Sequence, residues 1–368
     1  MNFKINKKIF DDTLEIVSKY TDPISTFFSF RCIYITVDNE YITLKAANDA
    51  TSIVKKIVVD DVNVLVEEPG EFLVQANVFK SIVKKLSGMI NITKTATNLL
   101  DISQGNSKYQ ITTLTEKHFP AIDNLLNTKQ LSLNTAEFKK AIKSVSHASS
   151  LDNSLIYKCI NMKKKNDVIN FTATDSYRLA IYQYKCDEQV GFDFDFSINS
   201  KDLKDLIPSD APEKVTFFFN DIKVGVKYEN TVIISRIVSI PFVDTESIFK
   251  NMDVAYTIAI SKTELNNMLN KIWMSNGDKQ NRIELYINDK EFKIVNNVIE
   301  IGNFADKTSN FKFQGKHLEM ALNYNFIKDA ISVFDDDISI LIDQNVKKVL
   351  LISSSNKACK QLISPLRR

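Results

Sequence analysis

A single motif written three times constrains this chain more than any other feature, because a repeat fixes how many similar units the fold must contain. Residues 3–17 read FKINKKIFDDTLEIV, residues 131–145 LSLNTAEFKKAIKSV and residues 258–272 IAISKTELNNMLNKI, so the copies start 128 and 127 residues apart. Each reads as an alternating strand, a cap and an amphipathic helix. The caps fall in register at Asn6, Asn134 and Ser261, whose side-chain oxygens accept orphan amide hydrogens of a first helical turn. Glu137 and Glu264 stand three residues later, at capping-box spacing. Apolar residues then recur on one face: Phe10, Leu14 and Val17; Phe138, Ala141, Ile142 and Val145; Leu265, Met268, Leu269 and Ile272.

A second strand–helix unit follows in each third, at residues 71–86 (EFLVQANVFKSIVKKL), 195–207 (DFSINSKDLKDLI) and 319–331 (EMALNYNFIKDAI), which makes six half-repeats. Alternating runs between them, YITLKAA from Tyr41, VINFTAT from Val168 and RIELYIN from Arg282, fit half-buried antiparallel strands. The expected fold class is therefore α+β, three similar domains of two helices laid on antiparallel sheets, at residues 1–127, 128–252 and 253–368. Residues 124–129, opening at Asn124, are polar enough for a short linker. A period this long excludes a short-repeat solenoid.

Composition removes several function classes. Eight glycines and three histidines leave little for phosphate-cradling loops or histidine-based metal and acid–base chemistry. The cysteines at 32, 159, 186 and 359 have neither zinc-site nor disulfide-framework spacing, which fits a reducing cytoplasm. No leader-like or membrane-spanning apolar run is expected. A net charge of +2 means that any basic surface must come from local segregation. Such segregation is visible on the helices: Lys80, Lys84 and Lys85; Lys139, Lys140 and Lys143; Lys201 and Lys204; Lys328. One such helix is an ordinary solvated face. Recurrence across the repeats suggests a shared surface that contacts phosphate without reading bases. The first helix fits least, with Lys7 and Lys8 at its start and Asp11, Asp12 and Glu15 in its middle.

Residues 172–180 read TATDSYRLA, a strand entering a polar turn at Asp175-Ser176 and leaving through Leu179. Asp175 favours a turn through its own side chain, and Arg178 is placed to pair with a carboxylate. This segment resembles the hairpin of the beta subunit of bacterial DNA polymerase III, the sliding clamp family. The likeness runs along the chain: HFPAI at 118–122, SRIVSIPFVDT at 235–245 and QLISPLRR at 361–368 resemble the ends of that family's three domains.

The resemblance implies a head-to-tail homodimer closed as a ring around double-stranded DNA, helices inward, with no catalysis, nucleotide or cofactor of its own. Implied partners are the DNA polymerase III catalytic subunit, a clamp loader and other proteins carrying clamp-binding peptides. The implied peptide pocket comprises Tyr157, Thr174, Ser176, Tyr177, Arg178, Leu179, Pro241, Val243, Asn323, Phe326, Val346, Leu362, Ile363, Ser364, Pro365, Leu366 and Arg367. Ser364 and Leu366 replace methionines that flank the tail proline in many relatives. Val243 stands where a YPD-type segment has proline, and Pro241 comes two residues earlier. The implied seam joins domain 1 to domain 3 of a second copy through Tyr109, Trp273 and Met274, with its acidic run reduced to Glu300 and Asp306.

Other readings stay open at this stage. Leu179, Leu362 and Ile363 also fit a plain core, and Trp273 fits a cap on its own domain. An enzyme would use Asp175 and Arg178, or the acidic run 335–337. A repeat-built scaffold that never encircles DNA is the third reading.

Overall fold

The computed structural model describes residues 1–114, 119–122, 125–150, 154–187, 190–250, 252–274, 280–299 and 301–367. His118, Asn124, Glu300 and Arg368, named above, lie outside the described residues. The first repeat runs β1 (Asn2–Asn6), α1 (Lys7–Val17), β2 (Cys32–Val37), β3 (Tyr41–Ala47), β4 (Thr51–Val58), β5 (Val64–Glu68), β6 (Gly70–Gln75), α2 (Ala76–Lys85), β7 (Met89–Ala96), β8 (Leu99–Gln104) and β9 (Ser107–Thr112). The second runs β10 (Lys129–Asn134), α3 (Thr135–Ser146), β11 (Cys159–Lys165), β12 (Val168–Thr174), β13 (Arg178–Lys185), β14 (Phe194–Asn199), α4 (Ser200–Asp205), β15 (Lys214–Phe219), β16 (Lys223–Tyr228) and β17 (Thr231–Arg236). After α5 (Glu246–Lys250), the third runs β18 (Val254–Ser261), α6 (Lys262–Ile272), β19 (Arg282–Ile287), β20 (Phe292–Val298), β21 (Gly302–Thr308), β22 (Lys312–Gln314), β23 (Leu318–Asn323), α7 (Tyr324–Ser332), β24 (Asp337–Asp343), β25 (Val349–Ile352) and β26 (Cys359–Ile363).

The second repeat is thus strand, helix, three strands, written twice, and the first and third add one strand each to that plan, β5 and β22. The six half-repeats fold as read, and α5 is an additional short helix between the second and third copies. Asn6 caps α1 by accepting from the Lys8 amide, and Ser261 caps α6 by accepting from the Glu264 amide at 3.2 Å. The Glu137 carboxylate receives the Tyr182 hydroxyl. The apolar helix stripes are buried, with Phe10, Leu14, Phe138, Val145, Leu265 and Leu269 inaccessible.

Packing follows the sheets rather than the repeats. One compact unit comprises Met1–Thr135 with Lys201–Ile237, and the other Ala136–Ser200 with Val238–Arg368, so the second repeat is shared between them. In the first unit, one sheet has the order β5-β1-β7-β8-β9 and the other β10-β15-β16-β17-β4-β3-β2-β6. Edge-to-face rings run between these sheets through the helices: Phe3 to Phe10 at 6.4 Å, Phe10 to Phe79 at 5.6 Å, Phe79 to Phe72 at 5.9 Å. In the second unit the sheets are β14-β11-β12-β13-β26-β25-β24-β18-β22 and β21-β20-β19-β23.

Two of these sheets are junctions between successive repeats, and they share one register. Along β4–β17, Thr51 faces Ser235 and Lys55 faces Thr231; along β13–β26, Arg178 faces Ile363 and Tyr182 faces Cys359. In both, the first residue of the third hairpin strand opposes the fifth residue of the next repeat's last strand. Continuous antiparallel ladders satisfy the backbone across each junction, which explains why compact units cut through the second repeat. The equivalent strands left over, β21 and β9, are sheet edges.

Candidate functional site

The turn in TATDSYRLA is built by its own polar side chains. Asp175 Oδ1 accepts from the Tyr177 and Arg178 amides at 3.0 and 2.9 Å, and Thr174 Oγ1 donates to the Arg178 carbonyl at 2.7 Å. Ser176 takes φ 76° at the tip, a left-handed conformation that these bonds hold in place. Arg178 then turns back. Its Nε donates to Asp175 Oδ2 at 2.9 Å, its Nη1 to Asp329 Oδ2 at 2.6 Å, and its guanidinium lies 4.4 Å from the Phe326 ring centroid. Asn323 orients that ring's helix by capping α7, accepting from the Phe326 amide at 3.1 Å while donating to the Gln280 carbonyl at 2.8 Å.

Behind Arg178, His147 Nε2 meets Gln361 Oε1 at 2.9 Å, and Gln361 donates to the Ser144 carbonyl at 2.9 Å. Burial, and next the nearby Arg178 charge, push the His147 pKa below its ordinary value. Asp329, His147 and Gln361 were not singled out by sequence, since their link to Arg178 is long-range. The only signal was the expectation that Arg178 pairs with a carboxylate.

Register divides the expected pocket residues between two faces. Phe171 points at α3, its ring 5.4 Å from that of Phe138. Thr172 and Thr174 therefore face away, together with their opposed residues Ile181 and Leu179 and, across β26, Lys360 and Leu362. Ile363 faces inward beside Arg178 and is 1% exposed, which fits a core role; Leu179 and Leu362 are also buried, but on the outer face. Tyr157 sits in a 3-10 turn, Leu155–Lys158, and its carbonyl accepts from the Ser150 amide. The exposed Tyr177 side chain stands at the turn, and its carbonyl accepts from the Ser364 amide at 2.9 Å.

The tail is held by backbone bonds: the Leu366 amide donates to the Ala321 carbonyl at 2.8 Å, and Arg282 Nη1 to the Arg367 carbonyl at 3.0 Å. Val346, Pro365, Leu366 and Arg367 line one depression of about 710 Å3 with Met320 and Ala321. Val346 holds φ 52°, unusual for a β-branched residue and of the kind that clusters at ligand sites. Val243 lines a different groove, where Phe242 and the 244–249 segment face Thr172, Ile181 and Lys360; Pro241 is exposed just before it. That groove lies one residue pair farther along the face that carries Thr174, Leu179 and Leu362.

The lysines divide by what they touch. Lys139, Lys140 and Lys143 are exposed on α3, Lys201 and Lys204 on α4, and Lys84 and Lys85 on α2. Lys80 and Lys84 both pair with Glu15, Lys80 at 2.6 Å, and these ammonium groups hold the Glu15 carboxyl down to about 2. Lys328 donates to Asn266 and Asn270 on α6 at 2.5 and 2.7 Å, and burial lowers its pKa. At the expected seam, Tyr109 lies on edge strand β9. Trp273 stacks on Tyr324 at 3.8 Å and 6°, and Met274 beside it is 43% exposed. Asp306 on β21 pairs with Lys271 at 3.2 Å.

Catalytic equipment does not assemble around Asp175, whose two oxygens are engaged by its own turn, and Asp335–Asp337 are exposed. Among the described residues no three His, Cys, Asp or Glu side chains are grouped to hold a metal ion.

Comparison with known proteins bears on the whole chain. Models of the DNA polymerase III beta subunit match its N-terminal domain at residues 1–123, its central domain at 132–244 and its C-terminal domain at 252–367. The beta sliding clamp of Mycoplasmopsis pulmonis is 30% identical over 375 residues, covering 100% of both chains. The DNA polymerase sliding clamp of Bacillus subtilis superposes with a TM-score of 0.94 at 23% identity, covering 100% of this chain and 99% of that one. The DNA polymerase III beta chain of Streptococcus pneumoniae does so with 0.95 at 22%, covering 100% of each. With its three successive segments matched and a relative at this identity aligned end to end, the chain belongs to the DNA polymerase III beta subunit family, the bacterial sliding clamps.

Proposed function

We propose that this chain is a non-catalytic processivity factor. Two copies close head to tail around double-stranded DNA and tether a replicative polymerase by topology. Its domains are residues 1–127, 128–252 and 253–368, and it works in the cytoplasm. The observation that carries the reading is the junction rule. Each repeat's first half-sheet joins the next repeat's second half-sheet at β4–β17 and again at β13–β26, and the same step from the third repeat needs a first repeat that only another copy supplies. Exposed edges invite strand addition. Pairing β21 of one copy with β9 of the other, twice, closes a two-chain ring with no edge of this kind left over.

In that ring the exposed lysines of α2, α3 and α4 meet phosphate, so binding is sequence-blind and weakened by salt. Lys80, Lys84 and Lys328 bring less free charge, since carboxylate or amide groups already share them. The site around Thr174–Arg178, Leu179, Leu362 and Pro365–Arg367 takes short peptides of the DNA polymerase III catalytic subunit, the clamp loader and other replication or repair proteins. Its support is a rigid polar turn beside apolar side chains, the usual make-up of a small hot-spot site.

Loading onto circular and linear DNA tests the ring. With a clamp loader supplied, the protein stays on closed circles and leaves linear DNA by sliding; equal loss from both refutes encirclement. Removing residues 366–368 tests the pocket, and unchanged affinity for a polymerase-derived peptide refutes that assignment.

A further inference from the structure

The three repeats carry different charges at the same helix positions. The register of the first-half motif sets Asp11, Asp12 and Glu15 of α1 on Lys139, Lys140 and Lys143 of α3, and on Asn266, Asn267 and Asn270 of α6. The second-half motif likewise sets Lys80 of α2, Lys204 of α4 and Lys328 of α7 on one position. These four positions hold three carboxylates and an ammonium in the first repeat, four ammonium groups in the second, and three amides and an ammonium in the third.

In the first and third repeats the second-helix lysine reaches across to the first helix. Lys80 Nζ lies 2.6 Å from Glu15 Oε2. Lys328 Nζ donates at 2.7 Å to Oδ1 of Asn270, the counterpart of Glu15, and at 2.5 Å to Oδ1 of Asn266. The second repeat has Lys143 at that position, and an ammonium cannot accept a hydrogen bond from Lys204. The first repeat goes further than the third. Lys84, at a position held by Pro208 and Ser332 in the other repeats, pairs with Glu15 Oε1, so each carboxylate oxygen takes one lysine. Lys80 also donates to Ser18 Oγ at 3.2 Å, which fixes its ammonium against α1. Held down to about 2 by Lys80 and then Lys84, the Glu15 carboxyl is ionised at neutral pH. Glu15 and Lys84 are 39% and 51% exposed, so an incoming anion can reach the pair.

Two oxygens of one anion on two lysines is also how a nucleic-acid phosphate is held. We propose that Glu15 is an internal stand-in for a DNA phosphate: its carboxylate occupies Lys80 and Lys84, and a phosphate gains them only by displacing it. The grip on DNA then falls on the lysines of the second repeat. Lysines kept on Glu15 neutralise no phosphate and release no counterion from DNA. The inference rests on the reading of the helices as the DNA-facing surface.

Fluorescence anisotropy of a labelled linear duplex with the full chain, between 50 and 200 mM salt, tests this. Glu15→Gln keeps the side-chain shape and removes the charge. It should tighten binding at least threefold at 50 mM salt and steepen the log–log salt slope by about 0.9 for each lysine released. Asp12→Asn removes the same charge from an exposed side chain of α1 that pairs with no described residue, and should change the slope less than half as much. Adding Lys80→Gln and Lys84→Gln to Glu15→Gln should return the slope to that of the unaltered chain. An unchanged slope in Glu15→Gln, or an equal response in Asp12→Asn, overturns the inference. Changing Lys139, Lys140 and Lys143 together to glutamine separates the two failures. If that variant lowers the slope while Glu15→Gln leaves it alone, the helices face DNA and only the role of Glu15 falls; if neither moves it, both readings fall.

Discussion

A pair of cysteines at the proposed seam tests the ring at single-residue resolution. The register common to both in-chain junctions puts the first residue of the third hairpin strand opposite the fifth of the last strand. Applied to β21 and β9, it sets Gly302 on Ile111 and hence Phe304 on Tyr109. Directly opposed Cα atoms in an antiparallel ladder lie about 4.5–5.5 Å apart, inside the roughly 4.4–6.8 Å that a disulfide spans. A partner two residues along the strand is about 7–8 Å away and outside it. Tyr109→Cys with Phe304→Cys should therefore cross-link under mild oxidation, at least tenfold faster than Tyr109→Cys with Asp306→Cys. The native cysteines add little background: Cys32, Cys159, Cys186 and Cys359 are buried, and burial pushes the Cys32 and Cys359 thiols up to about 11. On a non-reducing gel the product runs at twice the 41.9 kDa of the chain. Faster cross-linking of the Asp306 pair refutes the register. No cross-linking of either pair, in protein that sediments as a dimer, refutes head-to-tail pairing of these edges.

Three further outcomes are expected. With Asp306 already paired to Lys271, the proposed seam is expected to lean on apolar contact, so dimer affinity followed by sedimentation should weaken less than tenfold between 50 and 500 mM salt; strong weakening counts against it. His147, facing Gln361 and Arg178 with Asp175 and Asp329 nearby, has a folded-state pKa below the ordinary 6.5, so the unfolded chain takes its proton more readily. Its share of stability is whole above pH 6.5 and falls away as pH drops below that value, so the urea midpoint should fall from pH 7 to pH 5 with a shallower fall in His147→Gln; an identical fall refutes the assignment. Changing Lys139, Lys140 and Lys143 together to glutamine should reduce the log–log salt slope of DNA binding by about 0.9 for each phosphate no longer neutralised, and an unchanged slope removes α3 from the DNA-facing surface.

Much of the architecture was legible because it is local and periodic. Caps at Asn6 and Ser261 and helix stripes such as Leu265, Met268, Leu269 and Ile272 depend on neighbours within a few residues, and repetition marks them three times over. The site was legible in its turn, since Asp175 makes its bonds to amides two and three residues on. Its wider arrangement was not. Asp329 lies 151 residues from Arg178 and Gln361 lies 214 from His147, and nothing in spacing announces such pairs. Val243, grouped by resemblance with the tail residues, lines the groove over Ile181, because the strand register decides which outer-face residues become neighbours.

The sequence by itself determined three α+β repeats and their helix faces, since each follows from short-range propensity and residue type. Only the tertiary structure decided how the repeats join. Backbone hydrogen bonds carry no side-chain signature, so the shared register of β4–β17 and β13–β26, and the edges it leaves on β9 and β21, appear only once the strands are paired.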